Sequence, residues 1–191
     1  LLTAGAAAAE PFPVQLAGVL AHQGASSAGW PAGIDPSAVR AAYRAAAHRP
    51  IWLRDGAAPA PALVQTLEAA GRHGLVPGDY DADRLARAVQ RDDAGDARVC
   101  ARLKVRLTAA FLRYAGDLRH RRPAFRPARA GAPDPEVAAL LNAVRAARAV
   151  GVHLAELAPG HAGYRKLAQA LRRYQSIQSA GGWPRVPDGP A

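Results

Sequence analysis

Between Asp96 and His120, apolar side chains recur at steps of four and three: Val99, Leu103, Leu107, Phe111, Tyr114 and Leu118. A helix brings that spacing onto one face, whereas a strand scatters it over both. The run predicts one long helix, with Arg102, Arg106 and Arg113 on its flanks. A helix of this length needs neighbours to cover its apolar stripe. Composition says what those neighbours are. Half of the residues are apolar, much of that half is alanine, and aromatics make up only 6%. Alanine loses no side-chain entropy in a helix, so the chain is expected to be all-α. The predicted architecture is an irregular multi-helix bundle with a long central helix and Pro/Gly-rich loops.

The remaining elements follow from their punctuation. Residues 10–34 hold Pro, Gly and Ser at high density without sustained periodicity, and they read as a linker or arm. Asp35-Pro36 opens a helix, with Asp as cap and Pro at the first position, that runs to about His48. Pro50-Ile-Trp-Leu53 is a short extended piece pinned by Trp52. A helix over about Pro59 to His73 places Leu63, Val64 and Leu67 together, and Gly74 stands where a left-handed cap is needed. Leu75 to Tyr80 is a turn, and Asp81 caps a short helix to about Gln90. Asp92, Asp93 and Gly95 form a loop, as do residues 121–133. Asp134-Pro135-Glu136 opens a helix with Val137, Leu140, Leu141 and Val144 inside, ended by Gly151. The last helix covers about Gly163 to Ser179, with Tyr164, Leu167, Leu171, Tyr174 and Ile177 on one face, and Gly181-Gly182 terminates it.

No motif carries catalysis. Asp79-Tyr-Asp81-Ala-Asp83 has the alternating acids of a calcium loop, but Arg84 stands where that loop needs glycine and Gln90 where it needs a bidentate acid. Asp81 therefore reads as a helix cap and Asp83 as a first-turn acid favoured by the helix dipole. His22, His48, His73, His120, His153 and His161 contain no pair spaced for one helix turn, so no zinc site is expected. His48, His73 and His120 fall near helix C-termini, where an imidazolium is favourable. Cys100 lies inside the long helix, where backbone amides are already bonded and offer no oxyanion hole, so it reads as a packing residue. Gly24-Ala-Ser-Ser-Ala-Gly29 has one residue too many for a nucleophile elbow and follows no strand. There is no phosphate loop and no dinucleotide fingerprint, and no cofactor is expected. Tyr43, Trp52, Tyr80, Tyr114, Tyr164, Tyr174 and Trp183 read as anchors that tie loops to a helical core.

The formal charge is +10, and Lys104 and Lys166 are the only lysines. Such a surface attracts polyanions. The arginines, however, are spread over every helix, as an arginine-rich codon usage would leave them, and nucleic acid is not the expected partner. A single cysteine excludes an intrachain disulfide, and no apolar run approaches a membrane span. Leu1 to Ala9, an apolar and small-residue stretch without methionine, reads as the remnant of a signal peptide.

Three groups of residues, in order, complete the reading. The first is Tyr43, then Pro50-Ile-Trp52, then His73-Gly-Leu75-x-Pro77-x-Asp79-Tyr80. The second is Leu107-Thr-Ala-Ala-Phe-Leu-Arg-Tyr114-Ala-Gly-Asp-Leu118. The third is Leu157-Ala-Pro159, Tyr164, Leu167 and Leu171, leading to Gly181-Gly-Trp-Pro184. Over about residues 36–187 this set resembles the N-terminal scaffold domain of the large periplasmic L,D-transpeptidases. The resemblance implies a helical scaffold followed by a small peptidoglycan-binding-like domain and a catalytic domain. That catalytic domain joins diaminopimelate residues of stem peptides through a cysteine thioester. The family's nucleophile motif, like Ser-x-Gly-Cys-x-Arg, is absent here, because Val99 precedes Cys100, and no catalytic residue is carried over.

The expected organisation is a signal remnant at 1–9, a linker or arm at 10–34, a helical scaffold domain at 35–180, and at 181–191 the start of a connection to a missing downstream domain. The expected function is a truncated, exported, periplasmic scaffold without activity of its own, serving peptidoglycan cross-linking. Its expected partners are the downstream catalytic domain, peptidoglycan and cell-wall synthesis proteins. The rivals are a basic helical nucleic-acid-binding module and an autonomous envelope adaptor that binds peptidoglycan or a synthase.

Overall fold

The computed structural model describes residues 12–22, 36–47, 51, 52, 59–91, 96–120, 139, 144 and 150–183. Its helices are α1 (Phe12–His22), α2 (Pro36–Ala45), α3 (Pro59–Glu68), α4 (Ala82–Arg91), α5 (Ala97–His120), α6 (Val150–Glu156) and α7 (Ala162–Ser179). Two 3-10 turns, Ala69–His73 and Pro77–Tyr80, join α3 to α4. The fold is all-α and multi-helical around one long helix, as the periodicity of 96–120 requires.

Asp96 starts α5, its carboxylate accepting from the amides of Arg98 (2.8 Å) and Val99 (3.2 Å). Leu107, Phe111, Tyr114 and Leu118 are buried as the spacing predicts, while Val99 at the first turn is 39% exposed. Burial then goes beyond the stripe. Ala101, Val105, Ala109, Ala110, Leu112 and Ala115 are also covered, so α5 is surrounded on several sides. Its alanines permit this, since small side chains let neighbouring helices approach closely.

One of those neighbours corrects the linker reading within residues 10–34, at 12–22. Phe12–His22 is helical, and its principal partner is α5. Leu16, Val19 and Leu20, at i, i+3 and i+4, are buried. Three apolar positions framed by Pro11, Pro13 and Gly18 are too short a run to announce a helix, and tertiary packing supplies what propensity lacks. Residues 1–11 and 23–34 lie outside the described residues.

The helix from Pro36 stops at Ala45, short of His48, and Ala47 takes a left-handed φ of 50°. Val39, Ala42 and Tyr43 of α2 are fully buried. Ile51 and Trp52 are buried too, and no strand occurs among the described residues. Trp52 Nε1 donates to Thr108 Oγ1 on α5 at 2.7 Å, and its ring meets Phe111 at 5.5 Å between centroids. Thr108 Oγ1 also lies 3.1 Å from the Tyr43 hydroxyl and 3.0 Å from the Lys104 carbonyl. One threonine thus serves the polar tips of two buried aromatics, which pins α2 and the Ile51-Trp52 segment to α5.

After α3, Gly74 closes the 3-10 turn at φ 73°, the left-handed cap expected there. Gly151 does not end a helix. It is the second residue of α6, and a Cβ on it would come within 3.2 Å of Thr66 Oγ1. Its role is to let α6 approach α3. The helix expected from Asp134 and the loops at 92–95 and 121–133 lie outside the described residues, apart from single helical positions at 139 and 144.

Candidate functional site

The acidic motif Asp79-Tyr-Asp81 forms a clamp. Tyr80 donates its hydroxyl to Asp117 Oδ2 at 2.8 Å and stacks edge-on against Tyr114 at 5.3 Å. Arg113 lies over the Tyr80 ring and 3.9 Å from both Asp79 and Asp117. Asp81 is not the N-cap that its sequence position suggests. Its own φ of 57° is left-handed, unlike the extended backbone of a cap, and its carboxylate pairs with Arg106 at 3.0 Å. Asp83 does sit in the first turn of α4. Burial and the Asp117 carboxylate push the Tyr80 phenol well above its usual range. These groups are held by one another and lock the 74–81 loop onto α5.

Cys100 is half-buried, and its amide donates to the Asp96 carbonyl at 2.9 Å. Lys104, one turn on, is buried, and that burial lowers its pKa. Among the described residues no three His, Cys, Asp or Glu side chains gather as a metal site, and no helix is long and apolar enough to cross a membrane.

The groups that remain open to a ligand lie elsewhere, around a cleft of about 410 Å³ between α3 and α6. Small side chains leave the space: Ala62 and Ala69 on one wall, Gly151 and Ala155 on the other. Tyr114 of α5 and Arg72 and His73 of the 3-10 turn complete the lining. His73 Nδ1 and the Tyr164 hydroxyl are 2.6 Å apart, joining the 3-10 turn to α7. The sequence placed an imidazolium at His73. Instead burial, then Arg72 and Arg172, lower its pKa and favour the neutral ring. Burial, helped by two nearby cations, outweighs the carbonyl dipoles of a single short turn. His48 and the side chain of His120 lie outside the described residues. His161 caps α7, its Nδ1 accepting from the Tyr164 amide at 3.1 Å.

The second departure is α7 itself, which has no buried residue. Tyr164 and Leu171 turn toward the 3-10 corner, Leu171 within 3.5 Å of the Cβ position of Gly74, and Gln175 donates to the Gly71 carbonyl at 2.9 Å. Leu167 and Tyr174, read as the same seam, are 72% and 59% exposed, and Trp183 beside Tyr174 is 67% exposed. Periodicity identifies the apolar side of a helix but not whether anything covers it. Tyr43, Trp52, Tyr80 and Tyr114 are core anchors as read, whereas Tyr174 and Trp183 are not.

A family model described as Scaffold domain matches residues 37–171, more than half of the chain. No curated protein and no solved structure matches.

Proposed function

The chain belongs to the Scaffold domain family, and from that premise we propose that it is the non-catalytic helical scaffold of an L,D-transpeptidase-like protein, working in the periplasm on peptidoglycan cross-linking and cell-wall remodelling. The observation that carries this reading is the ordered motif set, which falls largely inside the matched range. Its members also share a mechanical role. Tyr43 and Trp52 meet on Thr108, Tyr80 meets Asp117 and Tyr114, and Tyr164 meets His73. Each motif joins a loop or outer helix to α5 or to the corner beside it. A scaffold needs that arrangement, because a partner domain can be aimed only from a rigid base. Residues 35–180 are the proposed scaffold unit, with α1 as an added brace. The proposed partners are a transpeptidase catalytic domain, peptidoglycan and cell-wall synthesis proteins.

Deleting the gene in its host and analysing muropeptides tests the reading. The expected result is a fall in diaminopimelate–diaminopimelate cross-links, restored by the intact gene. Unchanged cross-links, or a chain that stays in the cytoplasm and retards duplex DNA, would overturn it. The purified chain should not exchange stem-peptide D-amino acids. Exchange abolished by Cys100→Ala would make the chain itself the catalyst.

A further inference from the structure

Tyr114 presents a problem that the scaffold role does not solve. Its side chain is 1% exposed, it lines the cleft between α3 and α6, and its hydroxyl finds no hydrogen-bond partner among the described residues. A buried hydroxyl left unpaired costs about 1–3 kcal/mol, and Phe would fill the same space without that cost. Burial and the nearby Tyr164 raise its pKa to about 12, with Arg72 opposing, so it is a donor at any physiological pH. Arg72 lines the same cleft, near enough to act on Tyr114, and is exposed, with no acid in ion-pair range among the described residues. No carboxylate lines the cleft among the described residues.

We propose that this cleft binds a short peptide bearing a free carboxylate, with Arg72 pairing the carboxylate, Tyr114 donating its hydroxyl to it, and the Ala62, Ala69, Gly151 and Ala155 walls admitting small side chains. The planar guanidinium fork matches a carboxylate. Gln65 and Thr66 stand further along the α3 wall, where the amides of such a peptide would run. Thr66 already gives its proton to the Ala62 carbonyl at 2.8 Å, so it remains an acceptor for a peptide N–H. The walls set the specificity. The cleft is tight where α6 approaches α3, since even a Cβ on Gly151 would come within 3.2 Å of Thr66 Oγ1. This inference stands on the cleft and not on the transpeptidase reading, and either can fail alone.

The test is calorimetric titration of the whole chain with N-acetyl-alanyl-alanine, with its C-terminal amide, and with inorganic phosphate. The free acid should bind at least about tenfold more tightly than the amide, which lacks the charge. Arg72→Gln and Tyr114→Phe should each weaken the acid by about tenfold. Tyr114→Phe should also leave the unfolding midpoint unchanged or raised, since no internal bond is lost. Equal binding of acid and amide overturns the proposal, as does phosphate binding as well as the acid. So does the absence of saturable binding in the millimolar range. A clear fall in the midpoint of Tyr114→Phe would show the hydroxyl to be a structural donor and would also overturn it.

Discussion

Thr108 and Arg106 stand two positions apart on α5 and illustrate how unequal polar contacts are. Thr108 is fully buried between Trp52 and Tyr43. Thr108→Val should cost about 1–3 kcal/mol by leaving the Trp52 indole N–H unpaired, read by urea denaturation. The Arg106–Asp81 pair is shorter than many, yet both side chains keep solvent contact. Arg106→Ala should cost at most about 1 kcal/mol in the same experiment. Gly74→Ala should cost about 1 kcal/mol through its backbone alone, because the new Cβ meets Leu171 at an ordinary 3.5 Å. The glycine at 74 was legible because a positive φ after a helix has few chemical solutions. Thr108 was not, because a threonine in an apolar run gives no sign that two distant aromatics converge on it. Tyr114 was legible as core and not as a cleft residue, since periodicity says nothing about the hydroxyl end of a ring.

Among the elements, α1 and α7 exchange the roles their sequences suggest. The weakly patterned α1 is part of the core. Leu16→Ala should therefore cost about 2–5 kcal/mol, as a cavity beside α5. The strongly patterned α7 contributes little burial, and Leu167→Gln should stay within about 0.5 kcal/mol of the parent. Equilibrium unfolding of the two variants side by side checks both. If Leu167→Gln proves as damaging as Leu16→Ala, α7 is covered in solution. Helix existence was legible for α2 to α5 and for α7 from apolar spacing and punctuation, even where the expected cap, Asp81, is not one. Which helices enclose α5 was not, because enclosure depends on long-range docking that spacing does not encode.

For the whole molecule the informative variable is pH. His73 is held below its ordinary 6.5 by burial, Arg72 and Arg172. The unfolded chain therefore takes up the proton more readily, and this contribution to stability is full above pH 6.5 and lost as pH falls from there through the folded value. The buried Tyr43, Tyr80 and Tyr114 work in the other direction. Their folded values lie above 10, so their contribution is intact below pH 10 and lost as pH rises beyond it. Unfolding midpoints across the pH range should show a shoulder at the acidic side, removed in His73→Gln. Phenolate absorbance of those three tyrosines should appear only with alkaline unfolding. The all-α class was legible because alanine-rich spacing leaves few other outcomes. The cleft was not, because it exists only where α6 meets α3, at a glycine that reads from sequence as a terminator.

The docking of α1 on α5 also bears on how the chain is made. Its docking site is complete only after roughly 100 further residues have been added, about 5–20 seconds of ribosome time. Until then Leu16, Val19 and Leu20 have nowhere to go. Over that interval the nascent chain carries an uncovered apolar segment at Phe12–His22, and that segment is where a holding chaperone would find its grip.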